Sequence, residues 1–141
     1  MSKCKEEPCK SALDAYNMLI LDGMDIESKI SKDCGDRRDF ILIGRWLFAL
    51  WATIAGQALL CLLLHFGMLP LCDWLFVLAA AVLVMLWLLF FAVIALTLRL
   101  ARLRKQCQDI NKRLRDAFAV IKRDCPEECW PKELTQFKCN C

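Results

Sequence analysis

The sequence predicts an all-α membrane protein, a two-span transmembrane helical hairpin whose second span continues into a cytosolic amphipathic, coiled-coil-like helix. Three observations carry this. Two long apolar runs, at 40–66 and 70–98, are separated only by the short turn Gly67-Met68-Leu69. No Lys or Arg lies between Arg45 and Arg99, while basic residues crowd the outer end of each run. Beyond the second run, apolar residues recur at alternating spacings of three and four in otherwise polar sequence.

The chain has 141 residues and is 58% hydrophobic, above the roughly 45–50% of soluble domains. The excess is local, since the flanks 1–39 and 99–141 are ordinary polar sequence. Each flank is close to the size, about 40 residues, below which a chain needs a metal, a disulfide or a partner to fold. This argues against an enzyme domain on either side.

Positions 46–66 supply 21 residues without a formal charge, and 74–98 supply 25. Either length suffices for a hydrocarbon core of about 30 Å. Gly67 and Pro70 punctuate the turn as a helix stop and restart. Lys32, Arg37, Arg38 and Arg45 precede the first span, and Arg99, Arg102, Arg104 and Lys105 follow the second. The positive-inside rule therefore places both termini on the cytosolic side. The first apolar run begins behind an acidic segment at position 40, so no cleavable leader is expected and the first span serves as its own insertion signal. Arg45 and Asp73 sit near span ends and can snorkel to the interface, and His65 reads as an interfacial residue.

Small residues fall at helical spacing in the first span, at Ala49, Ala52, Thr53 and Gly56, and open the second at Ala79, Ala80 and Ala81. They suit close helix packing within the hairpin or between copies. Gln57 is the one strongly polar side chain at mid-membrane.

The segment 99–124 carries nine basic and three acidic residues, so Arg99, Arg102, Arg104 and Lys105 form a candidate contact for anionic lipid. Its apolar stripe is Leu100, Leu103, Cys107, Ile110, Leu114, Ala117 and Ile121. With no Pro or Gly between Pro70 and Cys125, one helix is expected from the second span to about Asp124. Three placements of the stripe stay open: a short coiled coil with a protein partner or another copy, the membrane surface, or the N-terminal helix of the same chain. For a partner, Leu103, Cys107, Ile110, Leu114, Ala117 and Ile121 are the candidate contact residues.

The N-terminal segment 1–39 reads as partly helical. Leu13, Tyr16, Leu19 and Ile20 form an apolar patch behind Ser11, a candidate N-cap, with breaks expected at Gly23 and Gly35.

There are ten cysteines, eight of them on the side that the charge bias makes cytosolic, where thiols normally stay reduced. Free thiols are therefore expected, with two alternatives. Cys125, Cys129, Cys139 and Cys141, in the Cys-rich tail 125–141, could close a tetrahedral zinc site. Cys107 could be acylated. No other cofactor is expected. There is no phosphate loop, no HExxH and no Ser/His/Asp set, and nothing points to nucleic acid.

Two apolar lobes, a minimal turn at His65-Phe66-Gly67-Met68-Leu69-Pro70, cytosolic ends and a following heptad helix resemble the chlamydial inclusion membrane proteins. The resemblance is one of architecture and covers 40 to about 121. It implies a secreted effector, exported by a type III system, in the membrane of a host vacuole. Its tails would bind host trafficking, lipid-transfer or fusion factors as part of virulence. The function expected is thus a membrane-anchored interaction protein that displays its tails to a cytosolic partner. The alternative is an oligomeric, holin-like or effector pore whose working residues would be Gln57, Thr53 and the small-residue face.

Overall fold

The computed structural model describes position 4 and positions 6–65 and 70–141, with side chains described up to position 63 and again from position 73. The expected turn at 67–69 lies outside the described residues, as do the side chains of His65 and Cys72. Helix α1, Glu7–His65, has 59 residues, and helix α2, Pro70–Asp124, has 55; a short 3₁₀ turn, Glu127–Cys129, follows. Among the described residues there is no strand.

Glu7 lies in the first turn of α1, where a negative charge offsets the helix dipole. The helix therefore starts ahead of Ser11, which is interior rather than a cap. It also runs through Gly23 and Gly35 without the expected breaks. A glycine costs a helix about 1 kcal/mol relative to alanine, which packing along a long helix readily offsets. Helix α2 opens on Pro70, with Asp73 in its first turn and Lys122 and Arg123 in its last. The chain leaves the helix just before Pro126, whose ring bars helical geometry at the preceding residue.

The chain divides into two compact units, Met1–Cys34 with Arg99–Cys141, and Gly35–Leu98. The first will be called the terminal unit and the second the apolar unit.

In the terminal unit, burial follows a seven-residue period on both helices. Cys9, Tyr16, Gly23 and Ile30 are the buried line of α1, and Leu100, Cys107, Leu114 and Ile121 that of α2. A seven-residue apolar repeat is the seam of two packed helices, because it keeps one stripe facing the partner. Leu114 and Ile121 are 0% exposed. Leu13, Leu19, Ile20 and Ile26 fill in beside them. The tail 125–141 completes the core. Phe137 is buried with the seam residues, and Trp130 and Leu134 pack against them.

The apolar unit is built differently. Its small residues Ala58 and Ala79 are buried, and Gly44 lies where an added Cβ would come within 3.0 Å of Leu89 Cδ2. Ala49, Ala52, Thr53 and Gly56 are exposed rather than packed within the hairpin, and Gly56 has open space where a Cβ would stand. Large apolar side chains cover the outside, including Trp46, Trp74, Phe90 and Phe91. The most apolar 18-residue windows of the two helices have mean hydropathies of 1.9 and 3.0 and are only 6% and 0% buried. Both helices are thus long and apolar enough to cross a membrane.

Candidate functional site

The terminal unit is cross-linked by disulfides. Cys4 is bonded to Cys129, Cys9 to Cys125, Cys34 to Cys141 and Cys107 to Cys139. Cys61, in the apolar unit, is disulfide-bonded as well, and no described cysteine is free. This corrects the expectation of reduced thiols. The helices set the pairing: Cys9 shares the buried line of α1, and Cys107 that of α2. Three of the four bonds tie the N-terminal segment, at Cys4 ahead of α1 and at Cys9 and Cys34 within it, to the tail across 107 to 125 residues. By chain entropy a crosslink of that span stabilises by about 4–5 kcal/mol. The loops overlap, so the four contributions do not add.

The same bonds dispose of the alternative of a zinc site. Cys125, Cys129, Cys139 and Cys141 each spend their sulfur on a different partner, and no thiolate remains to share a metal. Among the described residues no group of three or more His, Cys, Asp or Glu side chains is arranged to hold one. Acylation of Cys107 falls with it, since its sulfur is bonded to Cys139.

The tail runs back along the helices and is held by side chains that belong to no sequence motif. Asn111 Nδ2 donates to the carbonyl oxygen of Phe137 at 3.0 Å, and the Phe137 N–H donates to Asn111 Oδ1 at 2.9 Å. One carboxamide thus satisfies both backbone groups of one tail residue, as a strand neighbour would. The Thr135 N–H donates to the Tyr16 hydroxyl at 3.3 Å. Trp130 Nε1 donates to the Cys125 carbonyl at 3.0 Å, and Lys122 lies 4.7 Å from the Phe118 ring centroid. The Phe137 ring lies over Gly23, where any side chain would collide with it.

The candidate partner stripe on α2 is occupied from within the chain. Cys107, Leu114 and Ile121 are buried, and Leu103, Ile110 and Ala117 are half-buried against the same core. Of the three placements left open by the sequence, packing on the N-terminal helix is the one observed. A partner cannot reach these side chains while the terminal unit stays closed.

The candidate anionic-lipid residues divide into two pairs. Arg99 Nε stands 3.0 Å from the buried Asp33 Oδ2, an ion pair without aligned hydrogen-bond geometry. Arg104 is half-buried, and its Nη2 donates toward Cys141 Sγ at 3.5 Å. Arg102 and Lys105 remain exposed and border a shallow polar surface with Gln106, Gln108, Asp109 and Lys112. A second polar groove is lined by Asp22, Asp25 and Asp109 together with Lys29 and Arg113. Four of these five charges pair internally, Lys29 with Asp25 at 2.6 Å and Arg113 with Asp109 at 3.2 Å.

Thr53 donates its hydroxyl proton to the Ala49 carbonyl and Thr97 donates to that of Val93, so both hydroxyls are satisfied within their own helices. Gln57 is exposed on the outside of the apolar unit.

No protein-family model, curated protein or solved structure matches this chain.

Proposed function

We propose that this chain is a membrane-anchored interaction protein that presents a disulfide-stapled helical unit to a protein partner at one face of a bilayer. The observation that carries the reading is the set of four disulfides joining α1, α2 and the tail in the terminal unit. A minimal anchor or pore has no need of a covalently fixed unit outside the bilayer. A display module gains from one, because a pre-ordered surface loses less entropy when it binds.

The apolar unit supports the anchor. Exposed aromatic and aliphatic side chains on this scale are stable in lipid and would aggregate in water. Disulfides between the two ends of the chain require both ends in one compartment, which suits a hairpin with two spans. The contact surface would be the exposed polar face of α2, around Gln106 and Lys112, since the apolar stripe is spent on the core.

The charge bias and the disulfides make opposing demands on sidedness. Arg and Lys at the outer span ends favour the cytosolic side. Persistent disulfides call for an oxidising compartment or an oxidant supplied on that side. The likeness to inclusion membrane proteins would put the unit in host cytosol, where its disulfides need an oxidant supplied on that side.

Photocrosslinkers placed at Gln106 and at Lys112 in native membranes test the reading. A discrete protein adduct is expected from the oxidised chain and not from the reduced chain. Adducts made only of further copies of the chain, with conductance in liposomes, would replace this reading by the oligomeric pore.

A further inference from the structure

A groove of about 520 Å³ opens on the apolar unit, within the usual size of small-molecule sites. Phe40, Gly44 and Phe48 of α1 form one wall, and Leu83, Trp87 and Phe90 of α2 the other. Gly44 keeps it open, because a side chain there would fill the space beside Leu89. Along α2 the lining runs from Leu83 to Val93, a rise of about 15 Å, which is the depth of one leaflet.

Two cations flank this groove on α1. Arg37, Ile41 and Arg45 succeed one another at four-residue spacing, so they form one ridge of the helix, and Ile41 lines the groove. Arg37 Nε is buried without a hydrogen-bond partner. Arg45 is exposed, and among the described residues neither arginine has an ion pair. Guanidinium groups hold phosphate oxygens with two parallel hydrogen bonds. An apolar slot one leaflet deep, beside arginines that form no ion pair among the described residues, matches a lipid with net negative charge. A zwitterionic lipid offers the same phosphate oxygens but brings its own ammonium group, so it adds no net negative charge to offset the arginines.

We propose that the apolar unit binds an anionic phospholipid, with one acyl chain in the Phe40–Gly44–Trp87 groove and the phosphate held by Arg37 and Arg45. This rests on the reading that the unit lies in a bilayer. It is distinct from the exposed basic patch at Arg102 and Lys105.

The test reconstitutes the full chain into nanodiscs of equal phosphatidylglycerol and phosphatidylcholine, and counts retained lipids by native mass spectrometry. Retention in alkaline-washed vesicles is measured first, and loss there would fail the membrane reading itself. The wild-type chain is expected to keep phosphatidylglycerol several-fold over phosphatidylcholine. Arg37→Gln with Arg45→Gln should bring that preference to unity, Gly44→Leu should lower retention of both lipids, and Arg102→Gln with Lys105→Gln should leave the preference intact. Equal retention by the wild type, an unchanged preference in the Arg37/Arg45 variant, or a groove occupied only by a second copy of the chain would overturn the proposal.

Discussion

The ring of Phe137 occupies the space that a side chain at Gly23 would need, so a glycine in mid-helix is the seat for a residue more than a hundred positions away. In an isolated helix, Gly23→Ala would add about 1 kcal/mol of stability. Here it forces the ring to shift, and overpacking of this kind costs about 1–3 kcal/mol. Gly23→Ala is expected to lower the denaturation midpoint of the terminal unit, and Phe137→Ala in the same chain to remove most of that penalty. A double-mutant cycle by chemical denaturation in detergent checks the coupling. Additive effects would mean that the ring does not sit there.

Asn111 is the second tie on the tail. Asn111→Ala leaves the Phe137 N–H and C=O without partners, at a cost of about 1–3 kcal/mol. Hydrogen exchange at the Phe137 amide should accelerate, with little change in the middle of α2. Asn111→Asp should keep the bond accepted from the Phe137 N–H and lose the one donated to its carbonyl, giving an intermediate rate.

Leu114 separates a core stripe from a docking stripe. It is fully buried, so Leu114→Asp would place a carboxylate among apolar side chains. The terminal unit should unfold, becoming sensitive to protease over 99–141 while the chain stays in the membrane fraction. A variant that remained protease-resistant and lost only partner binding would restore the stripe as a free surface.

Much of this architecture is legible from residue pattern. The apolar runs, the uninterrupted helix to Asp124 and the 3-4 stripe of 100–121 follow from local rules of length, breakers and periodicity. The line Cys9, Tyr16, Gly23 and Ile30 is harder to read, because a cysteine and a glycine hold two of its four places. Gly23 and Gly35 carry a local helix-breaking signal that packing overrides. The cysteines mislead through a compartment argument: charge bias implies reduced thiols, and spacing within 125–141 hints at a shared metal. The pairs instead join residues far apart in sequence, which no local spacing reveals. Asn111, Phe137 and Tyr16 belong to that same long-range set. At Phe40, Gly44 and Phe48 the groove wall reads as ordinary span sequence until α2 is laid beside it.

Sidedness follows from treating intact, sealed membranes with a membrane-impermeant protease. If charge bias governs insertion, 99–141 of the Leu114→Asp chain, whose terminal unit is open to protease, should be cut only from the cytosolic face. Cleavage from the opposite face alone would mean that oxidation of the terminal unit, rather than its flanking arginines, marks its compartment.

That the two ends of the chain form one covalently stapled unit underlies all of these expectations, and non-reducing peptide mapping of the membrane-extracted chain decides it. With thiols blocked at lysis, no cysteine in the terminal segments should be alkylated. Four linked peptide pairs should appear, Cys4 with Cys129, Cys9 with Cys125, Cys34 with Cys141, and Cys107 with Cys139. Alkylation of all of these cysteines, or stoichiometric zinc on 125–141, would contradict the stapled unit.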